Sequence, residues 1–252
     1  MQDLIDALSA AIGKSSIRLQ SSVGHLEPCE EPAGGWNIEV NGSSERYDAV
    51  VLATPAHLTA GLLASVKDPA SVRDNTQKES CALAANELSS IEYASTAIVV
   101  MAVRKSQVDR LPNKFGFVVP PIENRKILAA SFASHKYSIR CPEDHVIMRV
   151  FVGGATQSEL LSRSDDELID IVAEEMADLI GLRGDPTITR VVRWNNAMPQ
   201  YHVGHLERVQ RIEDAINAID GLHVMTNALR GVGIAPVVEA ARSVAKRISE
   251  LA

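Results

Sequence analysis

Four strand-like runs follow one another between Ser95 and Gly154: "STAIVVMAV", "FGFVVP", "KILAASFAS" and "HVIMRVFVGG". They are rich in valine, isoleucine and phenylalanine and are broken by turns, which predicts an antiparallel sheet. The two ends of the chain read differently. "GGWNIEV" through "RYDAVVLATP" predicts a hairpin followed by a strand, and Ala49–Ala53 has no alternation, so it is expected to be covered on both faces as in an α/β sheet. The fold class expected is therefore α/β with an α+β insert, an antiparallel layer interrupting an α/β layer.

The other elements follow from period and punctuation. "MQDLIDALSAAIG" places Leu4, Ile5, Leu8 and Ile12 on one helical face and stops at Gly13. "SIRLQSSVGHLE" reads as a strand, and "TPAHLTAGLLAS" as a loop and short helix with Pro55 near its start. In "SDDELIDIVAEEMADLIGLRG", Ser164 is the expected N-cap and Glu167 completes a capping box. Leu168, Ile171, Val172, Leu179 and Ile180 make the apolar face of that helix, and Gly181 or Gly184 ends it. "PTITRVVRW" predicts a further strand and "HLERVQRIEDAINAI" a second amphipathic helix.

At the C-terminal end, "GLHVMTNALRGVGIAPVVEAARSVAKRI" reads as a strand (Leu222–Thr226), a loop with Gly231 and Gly233, and a helix. Backbone N–H groups from Gly231 to Ile234 would lie at a helix N-terminus, which carries about half a positive charge and favours an anion. A plain strand–helix turn needing glycine accounts for the same residues. The chain has no G-x-G-x-x-G and no G-x-x-x-x-G-K-[ST].

Composition excludes several classes. Of the 252 residues, 46% are hydrophobic and 23% charged, which permits an ordinary core and argues against disorder. The net charge of -7, without a basic stripe, does not suggest nucleic-acid binding. No apolar run has the length of a membrane span, and the acidic, amphipathic start is unlike a signal peptide. Cys29, Cys81 and Cys141 are odd in number and lack a C-x-x-C, so a reduced, cytoplasmic setting is expected.

Among chemistry-bearing residues, Trp194, Gln200, Tyr201, His202 and His205 could line a pocket. The His202/His205 spacing lacks an acidic or cysteine companion, so no metal is expected. No nucleophile motif is present, and no catalytic residue is named. Asp165-Asp166 and Glu174-Glu175 read as a solvated helix face. Arg104-Lys105 and Arg125-Lys126 read as strand-end charge, with an alternative as partners for substrate carboxylates.

"MQDLIDALSAAIG", "YDAVVLATPAH", "FGFVVP", "MRVFVGGA", "RWNNAMPQYHVGHLERV" and "NALRGVGI" together resemble the FAD-dependent, oxygen-using protoporphyrinogen/coproporphyrinogen oxidases of the flavin amine-oxidase-like superfamily. The resemblance runs in order over nearly the whole chain, and "MPQYHVGH" with "RGVGI" is its most specific part. It implies a flavoprotein oxidoreductase of haem and porphyrin biosynthesis, with FAD as cofactor and a porphyrinogen as substrate. It implies a partial FAD-binding domain at 1–67 and 191–252, and a porphyrinogen-binding domain at 68–190. Val23 would meet the adenine end of FAD, Trp194 would lie near the flavin, and Gly231, Val232, Gly233 and Ile234 would line its pyrimidine edge.

The family's first segment, a Rossmann strand with G-x-G-x-x-G, has no counterpart here. The chain is thus expected to be truncated or split, and to need an N-terminal Rossmann-containing polypeptide or a second copy of itself. A catalytically inactive paralogue that binds porphyrin or a partner is the alternative. The family has glycine at Thr226, an aromatic at Leu229, and Pro-Asp-Cys where this chain has Ala235-Pro236-Val237; Thr226 is expected to crowd the flavin. The resemblance also allows peripheral membrane contact.

Overall fold

The computed structural model describes residues 2–29, 34–66, 76–137, 139 and 141–251. The chain opens with α1 (Gln2–Ile12), β1 (Val23–Pro28), β2 (Trp36–Val40), β3 (Ser43–Tyr47) and β4 (Val50–Leu52). Helices α2 (Ala56–Ala64) and α3 (Thr76–Ser89) follow. Next come β5 (Tyr93–Arg104), β6 (Gly116–Val118), β7 (Ala129–Phe132), α4 (Ala133–Lys136) and β8 (His145–Gly153). The last elements are α5 (Asp165–Ile180), β9 (Ile188–Pro199), α6 (His205–Asn217), β10 (Leu222–Val224) and α7 (Ile234–Leu251).

These elements form two compact units. A terminal unit comprises Met1–Ile91 and Tyr201–Ala252, and a central unit comprises Glu92–Gln200. The division falls after Ile91 and Gln200; the bounds expected from the sequence lie at 67/68, outside the described residues, and at 190/191. Contacts explain the shift. Helix α3 packs on α2 and α6 within the terminal unit, and β9 pairs with β5 as far as Pro199, opposite Tyr93.

The central unit is built on one antiparallel sheet in the order β6-β7-β8-β5-β9. One face is closed by α5. Ser164 accepts the Glu167 N–H at 3.2 Å while the Glu167 carboxylate accepts the Ser164 N–H at 2.8 Å, so both ends of the expected capping box are made. Gly181 ends the helix at φ +69°, where an added Cβ would stand 2.8 Å from the Asp109 side chain. The buried stripe is Leu168, Val172, Met176 and Ile180; Met176 joins it, while Ile171 and Leu179 lie at its margin. These side chains meet Val99, Met101, Met148 and Val150 of the sheet in one core cluster. Each such burial contributes roughly 1.5–3 kcal/mol. Between Ala94 and Thr96 the β5–β9 register shifts, and Asn196 takes φ +46° there while donating its N–H to Ser95 Oγ at 2.9 Å.

The terminal unit holds a meander, β1-β2-β3, and a parallel pair, β10-β4. One anchor ties the meander to the approach of β10, and another closes the start of the parallel pair. Trp36, buried, donates its indole N–H to the Asp220 carbonyl at 2.9 Å, and the Val50 N–H reaches the Gly221 carbonyl at 2.7 Å. Gly221, at φ +68°, leaves no room for a Cβ against the Asp48 carbonyl, 2.8 Å away.

Three local expectations change. The strand expected from Ser16 begins only at Val23, because residues 14–16 form a short 3-10 turn. The strand expected to reach Thr226 ends at Val224. Finally, Ala49–Ala53 is not covered on both faces. Val50 and Leu52 are buried but Val51 is 41% exposed, and among the described residues the second edge of β4 has no strand partner. The apolar face of α1 is likewise exposed at Leu4, Ile5, Leu8 and Ile12. No described helix is long and apolar enough to cross a membrane.

Candidate functional site

Two parallel strands put their carboxyl ends on one side, and in α/β layers ligands gather there. Met225, just past β10, donates its N–H to the Leu52 carbonyl at 2.9 Å, so β4 and β10 end together. β10 then leads into residues 226–233, and α7 starts at Ile234. The first bond of α7 runs from the Val237 N–H to the Gly233 carbonyl at 3.2 Å. Pro236 has no N–H, so the donors left over in the first turn are those of Ile234 and Ala235, both exposed. Gly231 stands at φ +135°, and a Cβ there would come within 2.7 Å of the Pro236 ring. Gly233 has no such constraint; its nearest Pro236 atom is at 3.5 Å. The glycine requirement is therefore local to Gly231.

What holds this loop is the other specific motif. Tyr201 Oη donates to the Asn227 carbonyl at 2.6 Å and accepts the Gly231 N–H at 2.9 Å, so one hydroxyl bridges both limbs of the loop. His205, 7% exposed, lies 2.8 Å through Nε2 from the Leu229 carbonyl. A carbonyl only accepts, so Nε2 carries the proton. The rings of Tyr201 and His205 stack with centroids 3.9 Å apart. His205 Nδ1 is buried and unpartnered. Arg230, at the loop's far side, donates from Nε to Glu213 of α6 at 2.7 Å, and this hydrogen bond raises the arginine's pKa.

Tyr201 and His205, expected from the sequence as pocket-lining candidates, instead grip the glycine loop. No one-dimensional signal joins residues 201 and 231. His205 is engaged with the loop backbone, and among the described residues no group of three or more histidine, cysteine or acidic side chains could hold a metal ion. Thr226 is not among the described residues with left-handed backbone. Its Oγ1 accepts the Ala228 N–H at 3.4 Å, so it turns onto its own loop. Leu229, at the family's aromatic position, is buried.

Two cavities flank these strands in the terminal unit. One, of about 500 Å³, lies among Ile212, Ile216, Val224, Thr226, Leu229 and Val244. The other, of about 610 Å³, is lined by Val23 and Gly24 of β1 and by Val51, Ala53 and Thr54 at the end of β4. Both volumes suit small-molecule sites. Gly231, Val232, Gly233 and Ile234 are thus contiguous at the head of α7, and Val23 opens onto the second cavity. Trp194 belongs to the central unit, opposite Thr96 on β9 with half of its surface exposed. Unshared N–H donors at a helix N-terminus, beside a backbone that glycine fixes, fit the pyrimidine edge of a flavin in charge and in donor type.

Two charged clusters are occupied internally. Arg125 pairs with Glu175 at 3.1 Å and Asp178 at 2.6 Å, so neither Arg125 nor Glu175 is the plain solvated charge expected. Arg104 faces Asp144 at 3.6 Å.

The chain is similar in sequence and fold to known proteins. The family model for flavin-containing amine oxidoreductases matches residues 1–249. Coproporphyrinogen III oxidase of Propionibacterium freudenreichii subsp. freudenreichii is 35% identical over 170 residues, covering 67% of this chain and 32% of that protein. The Bacillus subtilis (strain 168) coproporphyrinogen III oxidase is 27% identical over 206 residues, covering 81% and 40%. A provisionally named protoporphyrinogen oxidase from Exiguobacterium sp. 255-15 superimposes with a TM-score of 0.78 at 25% identity, over 100% of this chain and 51% of that one. A putrescine oxidase, at 12% identity and a TM-score of 0.68, shares the fold. The chain spans about a third to a half of the length of the porphyrinogen-oxidase relatives. With a family model matching nearly its whole length, the chain belongs to the flavin-containing amine oxidoreductases, and its cofactor is FAD.

Proposed function

We propose that the chain carries the flavin-ring half and the substrate unit of an FAD-dependent porphyrinogen oxidase of haem biosynthesis. The reaction would convert protoporphyrinogen IX or coproporphyrinogen III to the porphyrin with dioxygen as acceptor. The observation that carries this reading is the Tyr201 hydroxyl bridging Asn227 and Gly231, which joins the two motifs most specific to these oxidases in one structure. The names of the relatives support it.

FAD, when bound, supplies a two-electron acceptor that dioxygen regenerates with release of hydrogen peroxide. The protein's share is binding and orientation. The N–H groups at the head of α7, with Gly231, Val232, Gly233 and Ile234, would hold the pyrimidine edge. Val23 would meet the adenine end and Trp194 would lie near the ring. The terminal unit would hold the cofactor, and the central unit the porphyrinogen. The free edge of β4 would accept a further parallel strand, supplied by a Rossmann-containing polypeptide or a second copy.

A non-catalytic paralogue that binds a porphyrin or a partner is the second reading, favoured by Thr226 and Leu229 standing where the resemblance implies glycine and an aromatic. The test is the visible spectrum of the purified chain after incubation with FAD and desalting. A retained flavin band supports cofactor binding by this chain, and porphyrinogen oxidation is then assayed directly. A colourless protein removes the stand-alone oxidase.

A further inference from the structure

The sheet of the central unit has a second face, and its register defines what that face presents. Residues directly opposite across antiparallel strands point the same way. Val99 pairs with Val150 and Val191, on the side that α5 covers. One residue on, Val100 pairs with Arg149 of β8 on one flank and Arg190 of β9 on the other, on the side away from α5. Ile98 lies beside them on that side, between Phe151 and Val192. The face is thus an apolar strip with an arginine on each flank.

Neither arginine is neutralised by a carboxylate among the described residues. Among the described arginines of this unit, Arg104, Arg110, Arg125, Arg163, Arg183 and Arg193 each have a carboxylate or carbonyl acceptor. Arg149 lies over the Phe151 ring, with its guanidinium carbon 5.5 Å from the centroid, and among the described residues neither it nor Arg190 has an ion pair or a side-chain hydrogen bond. Two unpaired cations in an apolar field, in a chain of net charge -7, are poised for an anion that is itself apolar. Two strand spacings put their backbones about 10 Å apart.

We infer that this face binds a flat, apolar ring system carrying carboxylates at opposite edges, one read by Arg149 and one by Arg190. The inference rests on the porphyrinogen reading and sharpens it. A macrocycle with a propionate on every pyrrole ring offers carboxylates on opposing edges, whereas one with propionates on two adjacent rings offers them on a single edge. The pair therefore selects the tetracarboxylate substrate.

The test titrates the full chain with coproporphyrin III, its uncharged tetramethyl ester, protoporphyrin IX and naphthalene-2,6-dicarboxylate, following fluorescence. Arg149→Met and Arg190→Gln are compared with the parent, and thermal melting controls for folding. The expected result is coproporphyrin bound more tightly than its ester or protoporphyrin, with each substitution weakening coproporphyrin about tenfold and leaving the ester unchanged. Coproporphyrin binding that ignores both substitutions overturns the site, as does binding of none of the probes. Coproporphyrin bound no better than protoporphyrin overturns the selectivity. Arginine-dependent binding of the naphthalene dicarboxylate alone upholds the site and removes the porphyrinogen reading.

Discussion

Two of the three sheets among the described residues, the central one and the parallel pair, solve opposite problems. The central sheet has five strands, two of them 12 residues long, and closes one face against α5. The parallel pair β4·β10 has three residues per strand, and β4 keeps an open edge. Antiparallel strands are joined by short turns and carry their own register, whereas a short parallel pair depends on what surrounds it. The central unit is therefore stabilised chiefly by its own side chains. The terminal unit buries a core of its own, with Leu63, Leu88, Ile212 and Leu222 in it, and adds specific ties, among them Trp36 to Asp220 and Tyr201 to the glycine loop.

The largest expected effect breaks that contrast if it fails. Met176→Ala, in the closed core, should destabilise the protein by about 2–5 kcal/mol, while Val238→Ala, exposed on α7, should change stability by no more than about 0.5 kcal/mol. Urea unfolding measures both, and equal losses would mean that α7 is as well packed as α5.

The next effect is smaller and local. Tyr201→Phe keeps the ring stack and removes the hydroxyl that bridges Asn227 and Gly231, a loss of about 1 kcal/mol. Hydrogen exchange should show the Gly231 amide opening faster while the amides of α5 stay unchanged. Unaltered exchange at Gly231 would show that the loop holds itself.

The sequence made the central unit more legible than the terminal one, for a physical reason. The Ser164/Glu167 box, the Gly181 stop and the four strand runs are local patterns whose cause lies within a few residues. Val51 departs from expectation because an apolar run reports what a strand can bury, not what is present to cover it. The Tyr201 bridge was invisible because its partners lie far along the chain. Arg149 and Arg190 carry no signal in the sequence because an arginine inside a strand shows its face only once the register is known. Arg125, which the sequence did single out, is bound by Glu175 and Asp178 instead.

The smallest effect sharpens the comparison through pH. His223 on β10 is buried opposite Val51, and burial first, with the charge of Arg247 second, lowers its pKa from 6.5. The unfolded chain then takes up a proton before the folded one does. Stability is full above 6.5 and declines as pH falls below it. His223→Leu should flatten the stability profile between about pH 7 and about pH 5, read by thermal melting across that range. A profile as steep as the parent's would assign the acid sensitivity elsewhere.

The pairing of Val50 with Leu222 spans the whole central unit in sequence. During synthesis β4 leaves the ribosome before the central unit and must wait for its partner until β10 has followed. Closing so long a loop is entropically unfavourable for a disordered chain and easier once the intervening residues have collapsed. The central sheet is then the clamp that brings the two ends together, and its folding sets the time at which the glycine loop can form. Slowing that sheet's folding would delay the terminal unit even where no residue of it had been changed.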